Sequence, residues 1–160
     1  MTVAMESNRY HDANSFRCIK IAKTKSGCFS FYHLNACSLK NKEEEVGTFL
    51  STLDHDFDVL SFTETWYTDL NDVVCFPGYR CEALFRKNKK GGGVALYMKN
   101  SIPYELLPQC TVLSPAYESL FIQTGAFLFG VIYRPPSSSL QEFFHFFDAV
   151  LDDFALQSKP

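Results

Sequence analysis

The apolar residues of this chain occur in short runs that are separated by glycine, proline and polar residues. Runs of this length that are rich in aromatic and β-branched residues favour β-strands. The run at residues 57–63 is almost uninterrupted, which is typical of a strand buried on both faces. The pattern predicts six strands, at residues 28–34, 57–63, 79–85, 93–98, 120–123 and 127–133.

Two other segments repeat their apolar residues at three- and four-residue steps, the period of an amphipathic helix. We predict Ser38 as the N-cap of the first helix, because serine is favoured there. We expect the phenylalanines of the second helix to lie in the core. The periodic residues are Leu39, Val46, Phe49, Leu50 and Leu53 in the first helix and Leu140, Phe143, Phe144, Phe147, Val150, Leu151 and Phe154 in the second.

The order of these elements indicates the fold class. A strand–helix–strand opening, a β-meander with a hairpin across residues 79–98, and a closing helix predict a mixed α/β architecture. The length of 160 residues fits one domain or part of one. Residues 1–25 are polar and lack a period, so we predict a disordered leader there and a domain over residues 28–155.

Charge and cysteine content narrow the class of protein. The net charge is -3, although residues 1–25 carry five basic and two acidic side chains, so any contact with nucleic acid must be local. None of the six cysteines forms a C-x-x-C pair, which argues against a zinc site. No apolar run is long enough to span a membrane. We expect an intracellular protein, nuclear or cytoplasmic, that is neither secreted nor bound to a membrane.

Three polar residues stand at the carboxyl ends of predicted strands: Asn35, Glu64 and Tyr133. In open α/β sheets this edge is where ligands bind. A glutamate and an asparagine offer the oxygen ligands that suit Mg²⁺, and a tyrosine hydroxyl can donate to a phosphate oxygen. Taken singly, the three also fit an exposed strand-end acid, a turn or cap residue and an edge aromatic. Together they describe half of a metal-assisted phosphodiesterase.

Five segments resemble, in the same order, the endonuclease domains of non-LTR (LINE-type) retrotransposons. That family belongs to the endonuclease/exonuclease/phosphatase superfamily, and the similarity covers about residues 28–155. Each motif is weak alone, but five in order are a strong signal. The segments are Leu34-Asn35-Ala36-Cys37-Ser38-Leu39, Thr63-Glu64-Thr65-Trp66, Gly91-Gly92-Gly93-Val94-Ala95-Leu96-Tyr97, Glu118-Ser119-Leu120-Phe121 and Gly130-Val131-Ile132-Tyr133-Arg134-Pro135-Pro136.

The resemblance implies a role for each candidate residue. Glu64 matches the Mg²⁺-binding glutamate, Asn35 matches the asparagine that helps to organise metal and phosphate, and Tyr133 matches the tyrosine that contacts the scissile phosphate. It also implies a sandwich of two facing sheets, of which this chain covers the first half. The family's later motifs, an Asp-x-Asn that positions water and a Ser-Asp-His that stabilises phosphate, would follow the last helix, and the sequence ends at Pro160 before that point.

The resemblance therefore predicts a fragment of a Mg²⁺-dependent endonuclease that nicks DNA, which we expect to be inactive as this chain alone. DNA would be the partner of the complete domain, and a full element would also carry a reverse transcriptase. A phosphatase or phosphodiesterase of the same superfamily is the enzymatic alternative. The third possibility is a decayed product or binding module without catalysis. A half-sandwich would expose an apolar face, which favours aggregation or a need for a partner.

Overall fold

The computed structural model describes residues 29–87 and 91–157, with side chains described as far as Phe154. The predicted leader at residues 1–25, the first residue of the predicted first strand, and the hairpin tip at residues 88–90 lie outside the described residues. The strands are β1 (Phe31–Asn35), β2 (Val59–Thr63), β3 (Tyr79–Leu84), β4 (Val94–Lys99), β5 (Glu105–Leu106), β6 (Val112–Leu113), β7 (Glu118–Thr124) and β8 (Phe127–Tyr133), and the α-helices are α1 (Glu43–Thr52) and α2 (Leu140–Gln157).

The first sheet has the strand order β1-β2-β4-β3. Strands β1 and β2 are parallel and are joined by α1, whereas β4 is antiparallel to both β2 and β3. All five residues of β2 are buried, as the uninterrupted apolar run predicted. The hairpin of β3 and β4 is also confirmed, with the turn at Pro77 and Gly78 leading into it.

The prediction of Ser38 as a helix N-cap is wrong. Ser38 has a φ of 85°, and the backbone first makes a 3-10 turn at Lys40–Lys42 before α1 begins. The reason is that this segment still pairs with the chain beyond β2: Ser38 N donates to Glu64 O at 2.8 Å and Leu39 N to Thr65 O at 3.1 Å. The pairing extends the sheet edge past the end of β1 and delays the helix.

The second sheet is built around β7. Strand β8 pairs with one edge of β7, and the two-residue strands β5 and β6 pair with the other edge, at opposite ends. A turn at Gly125 and Ala126 joins β7 to β8, with Thr124 opposite Phe127. Strands β5 and β6 were not predicted, because two residues are too few to show an alternating pattern.

The two sheets pack face to face, which confirms the predicted two-sheet α/β sandwich. A second apolar cluster on the other face of the first sheet includes Leu39, Val46 and Leu53 from the segment of α1. The interface between the sheets is formed by Val59, Val94, Leu96 and Met98 from the first sheet and Leu120, Ile122 and Val131 from the second.

Helix α2 packs on the outer face of the second sheet, but only part of its apolar surface is covered. Phe146, Val150 and Phe154, four residues apart, pack with Phe121 from β7. The expectation that all phenylalanines of this helix are core is wrong for Phe144, which is 54% exposed. None of the helices in the described ranges is long and apolar enough to cross a membrane.

Candidate metal and phosphate site

Glu64 follows the last residue of β2, at the carboxyl end of the first sheet. The backbone continues to pair beyond the strand, because Thr65 N donates to Gly93 O at 3.2 Å and Trp66 N to Gly92 O at 3.0 Å. Glu64 itself has a φ of 57°, which is uncommon for a residue with a side chain and is found at functional sites that the surrounding structure holds in place. The turn is therefore fixed by hydrogen bonds on both sides of the glutamate.

The Glu64 carboxylate is held through one oxygen only. Its Oε2 accepts hydrogen bonds from the indole Nε1 of Trp66 and from the backbone N of Gly92, the latter at 3.0 Å. Hydrogen bonds to a charged acceptor are stronger than neutral ones. Among the described residues, no hydrogen bond to Oε1 occurs. The side chain is half-buried, so Glu64 is oriented but keeps one oxygen for a ligand.

Asn35 lies beside Glu64 at the same edge. It ends β1 and is in parallel register with Thr63, the residue before Glu64. Its side chain is exposed, and its Oδ1 accepts a hydrogen bond from the Cys37 thiol at 3.3 Å. The two residues are 29 positions apart in the sequence, and the parallel pairing of β1 with β2 brings them together.

Tyr133 stands at the end of β8 in the other sheet, where it is half-buried and packs against the sandwich core. Its partner in register is Glu118, the first residue of β7. Glu118 is fully buried and accepts hydrogen bonds from the backbone N of Gly93 and from Arg86 Nε. Tyr133 is thus connected to the Glu64 edge through Glu118 and the glycine run.

Glu118 was not among the site residues predicted from the sequence. It opens one of the five motif segments, but nothing in the sequence showed that Gly93, 25 residues earlier, donates to it. Arg86 was not among the predicted site residues either, and it pairs with the buried Glu118.

Glycines 91–93 allow the two glutamates to approach the backbone. Gly92 and Gly93 have φ values of 76° and 88°, a region that side chains disfavour. A Cβ on Gly92 would lie 2.5 Å from Glu118 Oε1, and one on Gly93 would lie 2.3 Å from Thr65 Oγ1. A side chain at Gly92 or Gly93 would therefore displace the Glu118 carboxylate or the Thr65 hydroxyl.

Burial dominates the electrostatics of this cluster. Burial raises the pKa of the Glu118 carboxyl above its usual value, and the nearby charge of Glu64 acts in the same direction. The amide of Gly93 and the Arg86 guanidinium oppose this increase. A buried carboxylate of this kind persists because it is paired and hydrogen-bonded.

The donor set of this edge fits Mg²⁺. This ion takes one or two protein carboxylates and keeps other positions for water and substrate phosphate. Glu64 offers one free carboxylate oxygen, and Asn35 offers an amide oxygen on the adjacent strand. In the described part of the chain, no group of three or more histidine, cysteine, aspartate or glutamate side chains is arranged to hold a metal.

Other polar residues near the strand ends have structural partners. Arg134 donates to the carbonyl oxygens of Pro135, Pro136 and Ser138, which closes the turn after β8. The described residues also contain one Asp-x-Asn tripeptide, at residues 69–71. Asp69 Oδ1 accepts from Asn71 N at 2.7 Å and caps a 3-10 turn. We assign this tripeptide a structural role.

Searches of protein-family models and of curated proteins found no match. Among solved structures, the endonuclease domain of TRAS1, a telomere-specific non-LTR retrotransposon, aligns with a TM-score of 0.54 and 14% identity, over 76% of this chain and 53% of that domain. The chain thus spans about half the length of the TRAS1 domain.

Two further structures align at lower TM-scores. A 3′ phosphatase from Neisseria, NExo, bound to product DNA hairpin, gives 0.48 and 19% identity over 80% of this chain and 51% of the other. The AP endonuclease LMAP from Leishmania major gives 0.47 and 15% identity over 92% of this chain and 59% of the other. The resemblance to non-LTR retrotransposon endonucleases is confirmed at the level of the fold: this chain has the two-sheet α/β architecture of the endonuclease/exonuclease/phosphatase proteins.

Proposed function

We propose that residues 28–155 form the first part of a Mg²⁺-dependent endonuclease domain of the non-LTR retrotransposon kind, which hydrolyses a phosphodiester bond of DNA and leaves a nick. The observation that carries this proposal is the geometry of Glu64. Its carboxylate stands at the sheet edge beside Asn35, with Oε2 fixed by Trp66 and Gly92 and with Oε1 open. The fold it shares with an endonuclease domain supports the same interpretation.

Each candidate residue has a distinct task in this proposal. Glu64 and Asn35 would hold the ion, which when bound supplies charge neutralisation at the scissile phosphate. Tyr133 would donate its hydroxyl proton as a hydrogen bond to a phosphate oxygen on which negative charge develops. The hydrogen bonds from Trp66 and Gly92 keep the Glu64 carboxylate in one orientation, so that little reorganisation is needed when substrate arrives.

We expect the chain alone not to catalyse. In the family that it resembles, the aspartate that positions water and the histidine that stabilises phosphate lie in the later part of the domain. Without those groups, most of the transition-state machinery is missing. In a full element a reverse transcriptase would accompany the domain, and the site of action would be the nucleus.

The test begins with sequencing of the transcript beyond the codon for Pro160. The protein is then expressed with whatever the reading frame adds, and nicking of supercoiled plasmid is followed with and without Mg²⁺. We expect Mg²⁺-dependent nicking that Glu64→Gln abolishes. The matched control is Glu44→Gln, an exposed glutamate on α1, which should leave nicking unchanged.

Other outcomes point to the alternatives. Nicking that survives Glu64→Gln, or that needs no divalent ion, contradicts the proposed site. Turnover of a soluble phosphoester in place of DNA would favour a phosphatase or phosphodiesterase of the same superfamily. A stop codon directly after Pro160 would make the candidate residues remnants of a site and favour the non-catalytic alternative.

A further inference from the structure

Two glutamates from different sheets bind neighbouring amides of the glycine run. Gly92 N donates to Glu64 Oε2 at 3.0 Å, and Gly93 N donates to Glu118 Oε2 at 2.5 Å. Both glycines are buried and have positive φ. Their amides are separated only by the φ and ψ torsions of Gly92, which is buried with a φ of 76°. The Glu118 carboxylate lies against Gly92 as well, because a Cβ there would be 2.5 Å from Glu118 Oε1. A displacement of the Glu118 carboxylate therefore acts on the residue whose amide binds Glu64.

The two carboxylates differ in how many of their oxygens accept hydrogen bonds. Glu118 is 0% exposed and uses both oxygens, Oε2 for Gly93 and Oε1 for Arg86. Glu64 is half-buried, and both of its hydrogen bonds fall on Oε2. Glu118 is therefore fully buried with both oxygens hydrogen-bonded, whereas Glu64 is partly exposed and retains one oxygen that accepts no hydrogen bond from the described residues.

The surroundings of Glu118 keep it in one position. A Cβ on Gly92 would lie 2.5 Å from Glu118 Oε1, so the carboxylate lies directly against the glycine backbone. Arg86 follows the end of β3, and its side chain, 11% exposed, pairs with the same oxygen. Moving a paired, buried carboxylate out of this position would leave an uncompensated charge, which is strongly unfavourable.

We propose that Glu118 is a positioning residue for the metal site: through the amide of Gly93 it fixes the glycine run, and through the amide of Gly92 that run fixes the Glu64 carboxylate. Glu118 touches neither metal nor substrate in this assignment. Its relation to a metal rests on the proposed function, but the coupling between the two carboxylates exists in the metal-free protein. It connects the sheet that carries Tyr133 to the sheet that carries Glu64.

The coupling can be measured without metal by NMR of the full chain. Glu118→Gln removes the charge and keeps the shape. We expect the amide signals of Gly93 and Gly92 and the indole N–H signal of Trp66 all to shift, because the Glu64 carboxylate moves with the glycine run. A shift confined to Gly93 would overturn the proposal. The control is Glu82→Gln, another partly buried glutamate, which accepts from Tyr104 OH at 3.0 Å and should leave the signals of Gly92 and Trp66 unchanged.

The same variants separate this inference from the proposed function. Mg²⁺ is titrated into the unsubstituted chain while the fluorescence of Trp66, the single tryptophan, is recorded. Glu118→Gln should weaken the binding of Mg²⁺ by about 10- to 100-fold, as is typical of outer partners of a metal ligand, and Glu64→Gln should abolish it. If the unsubstituted chain does not respond to Mg²⁺, the proposed function fails, and the coupling is still decided by the metal-free spectra.

If Glu118→Gln does not fold, the coupling between the two carboxylates can still be tested. Glu118→Asp keeps the charge but withdraws the carboxylate from Gly93, and it should shift the same three signals. If neither variant folds, hydrogen exchange of the unsubstituted chain decides. The proposal requires the amides of Gly92 and Gly93 to exchange through one common opening. Fast exchange at Gly92 with slow exchange at Gly93 would overturn it.

Discussion

The edge that carries Glu64 and the side that carries Tyr133 differ in how completely they are packed. In the first sheet, every residue of β2 and all but the last of β4 are buried. In the second, β8 has one buried residue, and α2 leaves Leu140, Phe144 and Leu151 about half exposed. The described residues therefore pack the edge that carries Glu64 more completely than the side that carries Tyr133. Substitutions can test whether the two regions differ as strongly in energy as in packing.

The largest effect is expected at Gly93, in the well-packed edge. Gly93→Ala places a Cβ 2.3 Å from Thr65 Oγ1 and 3.4 Å from Leu84 O, at a φ of 88°. We expect a loss of about 3 kcal/mol in the free energy of unfolding, measured by urea denaturation followed by Trp66 fluorescence.

The matched control for Gly93 is Gly47, in the middle of α1. A Cβ there would meet nothing within 4 Å. Because glycine weakens a helix, Gly47→Ala should raise the free energy of unfolding by about 0.5 to 1 kcal/mol. Equal effects at the two positions would contradict the claim that the edge beside Glu64 can pack only when Gly93 has no side chain.

Local pattern predicted the well-packed region better than it predicted the other. Strand β2 was evident because an uninterrupted apolar run has few alternatives, and the hairpin of β3 and β4 because glycines punctuate it. The face of α2 was ambiguous, since phenylalanines at four of the five positions 143–147 fit more than one helical stripe. Packing against the second sheet selects Phe146, which the helical period had left out.

The candidate site, too, could be predicted from the sequence only in part. Asn35 and Glu64 could be proposed because each ends a recognisable strand, and parallel strands end at one edge. The pairings that orient Glu64 could not, because they join distant residues. The Gly92 amide is 28 positions from Glu64, and Glu118 is 25 positions from Gly93. Contacts between the two sheets form only in the folded sandwich, and no local periodicity in the sequence encodes them.

The next effect is expected within α2, where neighbouring residues differ in burial. Val150 is 6% exposed and packs with Leu107, Cys110 and Phe121, whereas Leu151 is 51% exposed. Val150→Ala should lower the free energy of unfolding by about 1 to 2 kcal/mol, and Leu151→Ala by less than about 0.5 kcal/mol. Thermal unfolding by circular dichroism measures both. A similar loss at the two positions would mean that the face of α2 that carries Leu151 is covered as well.

Alkaline pH should act on the first sheet. Tyr67 OH and Tyr97 OH are 3.0 Å apart in the core, and burial raises the pKa of Tyr67 from 10.0 to about 12. Because the folded-state pKa is above the unfolded one, this contribution to stability is complete below pH 10 and is lost as the pH rises through about 12. Tyrosinate absorbance and circular dichroism should change together in that range.

A control for the alkaline transition is Tyr117, which stacks on Phe146 of α2 at 4.2 Å between ring centroids. Burial raises the pKa of Tyr117 as well, but less than that of Tyr67. Tyr117→Phe keeps the stacked ring and should shift the alkaline unfolding midpoint less than Tyr67→Phe does. If that substitution removes the transition, the alkaline sensitivity originates on the α2 side, and the first sheet is not its source.

The smallest effect on stability is expected from the exposed residues of α2, where the contrast between the two regions is greatest. Phe144 and Leu151 are 54% and 51% exposed, so Phe144→Lys with Leu151→Lys should change the free energy of unfolding by less than about 1 kcal/mol in total. Self-association should decrease, because contiguous exposed apolar surface drives association. Sedimentation velocity over a concentration series measures it. The control pair Thr48→Lys with Ser51→Lys, exposed on α1, adds the same two positive charges on the side of the first sheet. If that pair reduces association equally, net charge explains the effect. If only the α2 pair does, the exposed face of α2 is the surface that self-associates.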